Sequence, residues 1–194
     1  KMLSYEESLA ILKETKALID GHFILSSGLH SPRYVQCAQL LSKPDKAYKI
    51  SNSLAEKIKS SFEKFDLILS PAMGGIIIGY DIGRILKKQT IFSERVNGVF
   101  KLRRDFIINK NDKVLIIEDV ITTGKSSLEC SKLVKTAGGK IVGYACIIDR
   151  SQGNSVIEDK IVSQIKLDIP TYTKDRIPKN LSSIEAVKPG SRNL

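Results

Sequence analysis

The stretch Val114–Ser127, VLIIEDVITTGKSS, limits the folds open to this chain more than any other. Val114, Leu115, Ile116 and Ile117 form a continuous apolar run, the pattern of a strand buried on both faces. Glu118 and Asp119 follow where such a strand would end. Thr122, Thr123, Gly124, Lys125, Ser126 and Ser127 then lead into a helical pattern. A buried strand running into a helix is the unit from which parallel α/β sheets are built. Backbone N–H groups and hydroxyls at the positive end of a helix can hold a phosphate. Two carboxylates beside them can hold sugar hydroxyls or a divalent cation. The segment reads as a site for a phosphorylated sugar.

Two other phosphate-binding patterns are excluded. Gly124-Lys125-Ser126 ends like a G-x-x-x-x-G-K-[ST] loop, but the glycine required five positions earlier is Asp119. Gly74, Gly75 and Gly79 fail G-x-G-x-x-G because position 76 is Ile.

The rest of the chain supplies an α/β frame. Ser4-Tyr5-Glu6-Glu7 is a capping box, opening a helix with Leu9, Leu12 and Ile19 on its apolar face and an expected end at Gly21. His22–Gln36 reads as two short strands around a Ser/Gly/Pro turn. Pro44 starts a long helix with the face Ala47, Ile50, Leu54, Ile58 and Phe62. Strands are expected at Asp66–Ser70, Thr90–Glu94, Lys113–Ile117, Lys140–Asp149 and Ile161–Ile169, with helices running to Leu86 and over Lys125–Ala137. Asn97-Gly98 is a hairpin signal, so Ser93–Arg104 should project as a two-stranded ribbon or loop. The alternation implies a central, mainly parallel sheet flanked by helices, with right-handed crossovers. One domain is expected: a helix and strand pair over 1–40, the α/β core over 45–170, and a tail over 171–194. The tail has little pattern, and Lys188–Leu194 is expected to be disordered.

Composition narrows the class of protein. A length of 194 residues with 42% apolar residues suits one such domain. No run of 18 apolar residues is present to span a membrane. Cys37, Cys130 and Cys146 form an odd set without CxxC spacing, read as reduced thiols of a cytoplasmic protein. The net charge of +10 fits a lysine-rich solvated surface or the steering of a polyanionic small substrate. Without a basic block or interleaved aromatics, no nucleic-acid partner is indicated.

Ligands of open α/β sheets lie beyond the carboxyl ends of the strands. Three segments meet there: Pro71–Gly75, Glu118–Ser126, and Arg150 after Ile147-Ile148-Asp149. In the first, Gly74 and Gly75 let backbone amides approach an anion.

Val114–Ser127 resembles, nearly letter for letter, the signature of type I phosphoribosyltransferases, which bind phosphoribosyl pyrophosphate. The order FILSSG-x-x-S-x-x-Y, PAMGG, ER-x-x-G-x-x-x-LRR, signature, DR is similar to the orotate phosphoribosyltransferases over Phe23 to Arg150. That resemblance implies the type I phosphoribosyltransferase fold, with a small N-terminal hood and a protruding flexible loop. It implies transfer of a phosphoribosyl group to orotate, giving orotidine 5′-phosphate and pyrophosphate in pyrimidine synthesis, with Mg²⁺ and as a homodimer. Ser26, Ser27, Gly28 and Tyr34 of the hood should surround the base, with Thr122 and Arg150 contacting orotate. Glu118, Asp119, Val120, Ile121, Thr122, Thr123, Gly124, Lys125 and Ser126 should contact phosphoribosyl pyrophosphate. Ala72, Met73, Gly74 and Gly75 should face pyrophosphate. Arg95, Lys101, Arg103 and Arg104, with Asp119, form the candidate catalytic set. The acidic pair is read as binding ribose hydroxyls, with Mg²⁺ held largely by substrate oxygens and water and neither carboxylate a committed metal ligand.

The chain departs from the larger branch of that family at three points. Ser26 or Ser27 stands where that branch has a lysine, Met73 and Gly74 replace an aromatic-lysine pair, and the loop has no histidine. Which of Lys101, Arg103 and Arg104 substitutes for the missing cations stays open. Two other readings are a purine or uracil phosphoribosyltransferase and a phosphoribosyl pyrophosphate-sensing regulator. A neutral base needs no guanidinium partner, and no helix-turn-helix precedes the domain.

Overall fold

A computed structural model describes residues 1–190 of the chain. The last four residues, on which part of the disorder expected for Lys188–Leu194 falls, lie outside the described residues.

Helix α1 (Tyr5–Glu14) starts at the expected capping box, with Ser4 and Glu7 exchanging hydrogen bonds. It ends earlier than Gly21. Thr15 caps it, Lys16 turns the chain at φ 62°, and the chain then enters strand β1 (Leu18–Ile24). Gly21 therefore lies inside a strand, where pairing with β2 (His30–Val35) is irregular between Asp20 and Phe23. Ala17 and Leu18 are buried, and covering them outweighs continuing a helix. Pro32 sits within β2 rather than in the turn. The antiparallel β1–β2 pair is a sheet of its own.

A short helix α2 (Cys37–Leu41), not evident in the sequence, precedes α3 (Pro44–Ser61). Ala47, Ile50, Leu54 and Ile58 of α3 are buried as its periodicity requires, and Phe62 is the C-cap. The chain then alternates: β3 (Leu67–Pro71), α4 (Gly75–Leu86), β4 (Gln89–Val96), β5 (Val99–Leu102), β6 (Lys113–Ile121), α5 (Lys125–Thr136), β7 (Lys140–Asp149), β8 (Ile161–Lys166). The sheet order is β5-β4-β3-β6-β7-β8. Among the described residues of this sheet only the β4–β5 hairpin is antiparallel; it turns at Asn97 and Gly98, both at positive φ, and extends the sheet as its edge.

Each face of the sheet carries its own core. Ile50, Leu54, Ile58, Ile78, Leu115 and Ile117 fill the side covered by α3 and α4. Leu69, Ile91, Ile116, Val134 and Tyr144 fill the α5 side. Full burial of one such aliphatic side chain contributes about 1.5–3 kcal/mol, so the central strands are held far more firmly than any loop they carry. Helix α4 lies unusually close to the sheet. A Cβ on Gly79 would fall 2.1 Å from Ser70 Oγ, and one on Gly83 2.0 Å from Thr90 Oγ1. At the start of the helix a Cβ on Gly75 would meet Ile117 O and the Pro71 ring at 3.0 Å, so the N-terminus of α4 lies against the end of β3.

Two further departures matter for the site. Strand β6 does not end at Ile117. Its pairing with β7 continues through Glu118↔Cys146 to Ile121↔Asp149, because β7 is long enough to keep offering ladder partners. The tail after Pro170 is folded, with a 3-10 turn at Lys174–Arg176 and helix α6 (Lys179–Ser182). Tyr172 bridges to His30 and Val187 to Phe23. Among the described residues no helix is long and apolar enough to cross a membrane.

Candidate functional site

The ends of β3, β6 and β7 open onto one face. The β6–α5 turn leaves the sheet at Ile121, and Gly124 takes φ 83° as the N-cap of α5. That left-handed conformation favours glycine, and the space is also closed. A Cβ there would meet Ile157 at 2.9 Å and Ser155 at 3.0 Å. Behind the turn, Val156 N donates to Thr123 O and Arg150 N to Ile121 O, both at 2.8 Å. The turn is thus clamped from behind, leaving the exposed Thr122, Thr123 and Lys125 at the mouth of a twelve-residue helix. The first N–H groups of that helix have no intrahelical acceptor, which suits an anion.

Glu118 and Asp119 lie on the last turn-ward stretch of β6, partly buried. Ser127 donates a hydrogen bond from its hydroxyl to Glu118 Oε2. Burial pushes the Glu118 carboxyl up to about 7, with the Asp119 charge adding to the rise, while Ser127 and Arg95 oppose it. Burial also raises Asp119, against the pull of the Val120 N–H on its Oδ1 at 2.8 Å. Asp119 reaches across to the neighbouring strand end: a Cβ on Gly74 would come within 2.8 Å of its Oδ2. Two carboxyls raised by burial and open on one side are acceptors for hydroxyl donors.

The base-side residues come from three distant parts of the sequence. A cavity of about 510 Å³ is lined by Ser26, Ser27, Tyr34, Gln36, Thr122 and Arg150. Gly28, expected with them, lines instead an adjoining recess with Lys188. Arg150 is the distinctive member. Its Nε is buried and, among the described residues, has no hydrogen-bond partner, and burial lowers the pKa of the guanidinium. A half-buried guanidinium with an unsatisfied N–H is costly unless an acceptor, best an anionic one, joins it.

Ala72, Met73, Gly74 and Gly75 form the β3–α4 turn, with Ala72 N bonded to Ser93 O at 2.8 Å. Met73 is 85% exposed. The hairpin cations are less free than their sequence suggests. Arg95 pairs with Glu129 at 3.0 Å, donates to Gly98 O, and lies over the Phe100 ring. Arg104 pairs with Glu94 at 2.9 Å and Arg103 with the same carboxylate at 3.7 Å. Lys101, opposite Glu94 across the hairpin, has no ion pair among the described residues. Among the described residues no three histidine, cysteine, aspartate or glutamate side chains converge on a point that would hold a metal.

Sequence reasoning missed Gln36, Pro189 and Gly190 in the cavity wall. Gln36 was within reach, since it follows Tyr34 by two residues, just past the end of β2. Pro189 and Gly190 carry no local signal. Ser127 stood inside the signature, but its hold on Glu118 depends on the helical register of α5.

Comparison with known proteins adds three findings. Residues 37–175 match the phosphoribosyl transferase domain. A curated orotate phosphoribosyltransferase of Rhizorhabdus wittichii is 46% identical over 96% of each chain, and one of Sphingopyxis alaskensis is 44% identical over 97% of each. The crystal structure of orotate phosphoribosyltransferase from Aeropyrum pernix superposes with a TM-score of 0.71 at 22% identity, covering 81% of this chain and 92% of that one.

Proposed function

The chain belongs to the phosphoribosyl transferase family, and from that premise we propose how it joins orotate to phosphoribosyl pyrophosphate, giving orotidine 5′-phosphate and pyrophosphate in pyrimidine synthesis. The observation that carries the assignment of the base is Arg150. Its half-buried guanidinium has, among the described residues, no partner for Nε, in a cavity shared with Thr122 of the phosphate turn. A carboxylate-bearing base supplies the missing charge through a two-pronged ion pair; a neutral base leaves the cation unpaired.

The 5′-phosphate sits on the Thr122–Lys125 turn at the positive end of α5. Glu118 and Asp119 accept hydrogen bonds from the ribose hydroxyls, which fixes the ring between the base cavity and the β3–α4 turn. Displacement at the anomeric carbon builds positive charge on the ribose and negative charge on the departing pyrophosphate. The acidic pair lies on the side where the first develops, and the N-terminus of α4 with the hairpin cations on the side of the second. Lys101 is free to meet the leaving group directly. Arg103 and Arg104 can do so only by exchanging Glu94 for it. Loop closure over this face would exclude water, the competing nucleophile.

Mg²⁺ fits this donor set as an ion carried by substrate, because it retains several waters and is commonly held by one or two carboxylates with substrate phosphates. The chain offers it the negative field of Glu118 and Asp119. When bound, it supplies charge neutralisation at the pyrophosphate oxygens. The protein works as a homodimer in this reading. Met73, Ile77 and Tyr80, 85%, 55% and 65% exposed, form an apolar row at helical spacing beside the site, which a second copy would cover. The three buried, unpaired cysteines accord with a reducing cytoplasm.

Arg150→Ala tests the assignment. The KM for orotate should rise by about tenfold or more, the loss of a charge-assisted hydrogen bond, with the KM for phosphoribosyl pyrophosphate within about twofold. Equal losses for both substrates would remove Arg150 from the base pocket.

A further inference from the structure

The C-terminal tail runs back across the molecule to the hood. Val187 N donates to His22 O at 3.0 Å, and Ile24 N donates to Val187 O at 2.8 Å, so Val187 adds a third, one-residue strand beside β1. Higher up, Tyr172 and His30 exchange both backbone hydrogen bonds, at 2.7 and 2.8 Å, on the β2 side. The two attachments are tied together by side chains. A carbonyl only accepts, so the contact of 2.9 Å between His22 Nδ1 and Ile184 O requires His22 Nδ1 to carry a proton. In the neutral ring His22 Nε2 is then the acceptor, and His30 Nδ1 donates to it at 2.6 Å. Both rings are buried. Beyond Val187 the chain continues into the cavity wall, where Pro189 and Gly190 face Tyr34, Thr122 and Arg150. A Cβ on Gly190 would stand 3.4 Å from the Tyr34 hydroxyl.

We propose that residues 187–190 are a wall of the acceptor-base pocket, latched to the hood through Val187 and the His22–His30 pair, and that the latch positions the hood for the base rather than for the phosphoribosyl donor. This deepens the orotate assignment and rests on it. Every hood residue expected near the base lies on β1, β2 or their turn, and the tail is bonded to both of those strands. Neither the phosphate turn nor the β3–α4 turn is bonded to residues 184–190 through its backbone. Loss of the latch should therefore act on one substrate only.

Val187→Pro removes the N–H that bonds His22 O while leaving the side chains of the cavity untouched. Val187→Ala keeps that N–H and trims a half-exposed side chain. The proline variant should raise the KM for orotate by about tenfold, with kcat and the KM for phosphoribosyl pyrophosphate within about twofold, and the alanine variant should restore the KM for orotate to near the parent value. An unchanged KM for orotate in a folded proline variant, or equal losses for both substrates, overturns the inference. Should the proline variant not fold, amide hydrogen exchange on the parent protein decides. Orotidine 5′-phosphate should slow exchange at Ile24 and Val187, and ribose 5-phosphate should not; equal effects of the two ligands overturn it. If the parent protein turns over no orotate at all, the orotate assignment has failed and the base-pocket latch falls with it; a parent that turns over orotate beside a folded proline variant with an unchanged KM overturns the latch alone.

Discussion

Replacing Glu118 by Gln should make the protein more stable, by an amount that grows with pH. Glu118 is held at about 7 in the folded chain against an ordinary 4.5, mainly because burial penalises its charged form. Such a group takes up a proton on folding between those two values. Below pH 4.5 it is neutral in both states. As pH rises through 7 the buried carboxyl ionises, and the stability associated with its protonated form is lost. Linkage puts that loss at about 3 kcal/mol near pH 8 and under about 1 kcal/mol at pH 5. The glutamine cannot ionise, and its amide oxygen still accepts from the Ser127 hydroxyl. Asp119 remains in both proteins, so its own burial largely cancels in the difference. For a chain of this length the gap corresponds to about 6–12 °C in Tm at pH 8, shrinking toward pH 5. Thermal unfolding of both proteins without ligand or Mg²⁺, at pH 5, 6.5 and 8, measures it. A gap that is the same at pH 5 and pH 8, or a parent protein that is the more stable at pH 8, would refute the reasoning. The gain in stability comes with a functional loss. Without an anionic acceptor for the ribose hydroxyls, the KM for phosphoribosyl pyrophosphate should rise by about tenfold or more.

Three other perturbations probe separate parts of the site. Gly74→Ala puts a methyl group within 2.8 Å of Asp119 Oδ2; displacement of that carboxylate should lower kcat/KM for phosphoribosyl pyrophosphate by about tenfold, with little change in Tm. Lys101→Ala should lower kcat by about 10²-fold if its unpaired ammonium meets the departing pyrophosphate, whereas a change within twofold would return it to the solvated surface. Tyr80→Glu should shift the protein from dimer to monomer in light scattering, and a dimer that survives the substitution would move the interface elsewhere.

The frame of the molecule was legible because its signals are local. The apolar run Val114–Ile117, the face of α3 and the Asn97-Gly98 turn each specify their element within a few residues, and the parallel sheet follows from their alternation. The misreadings lie where tertiary context decides. Gly21 looked like a helix end, but the burial of Ala17 and Leu18 draws the chain into β1 first. Strand β6 runs on through Glu118 and Asp119 because β7 continues to pair with it, which no property of those residues reveals. The recess with Lys188 takes Gly28, and the base cavity takes Pro189 and Gly190, because the tail crosses more than 150 residues of sequence to reach the hood. Residue types also say nothing of partners. Arg95, Arg103 and Arg104 read as free cations until Glu129 and Glu94 are seen to hold them.

The central claim is that Arg150, whose Nε has no partner among the described residues, selects an acidic base. Its most direct test offers the protein Mg²⁺ and phosphoribosyl pyrophosphate with orotate, uracil, hypoxanthine or adenine in separate reactions, following each base by its absorbance. The account predicts consumption of orotate with release of pyrophosphate, and no turnover of the three neutral bases. Turnover of uracil or of a purine, with orotate left intact, would contradict it.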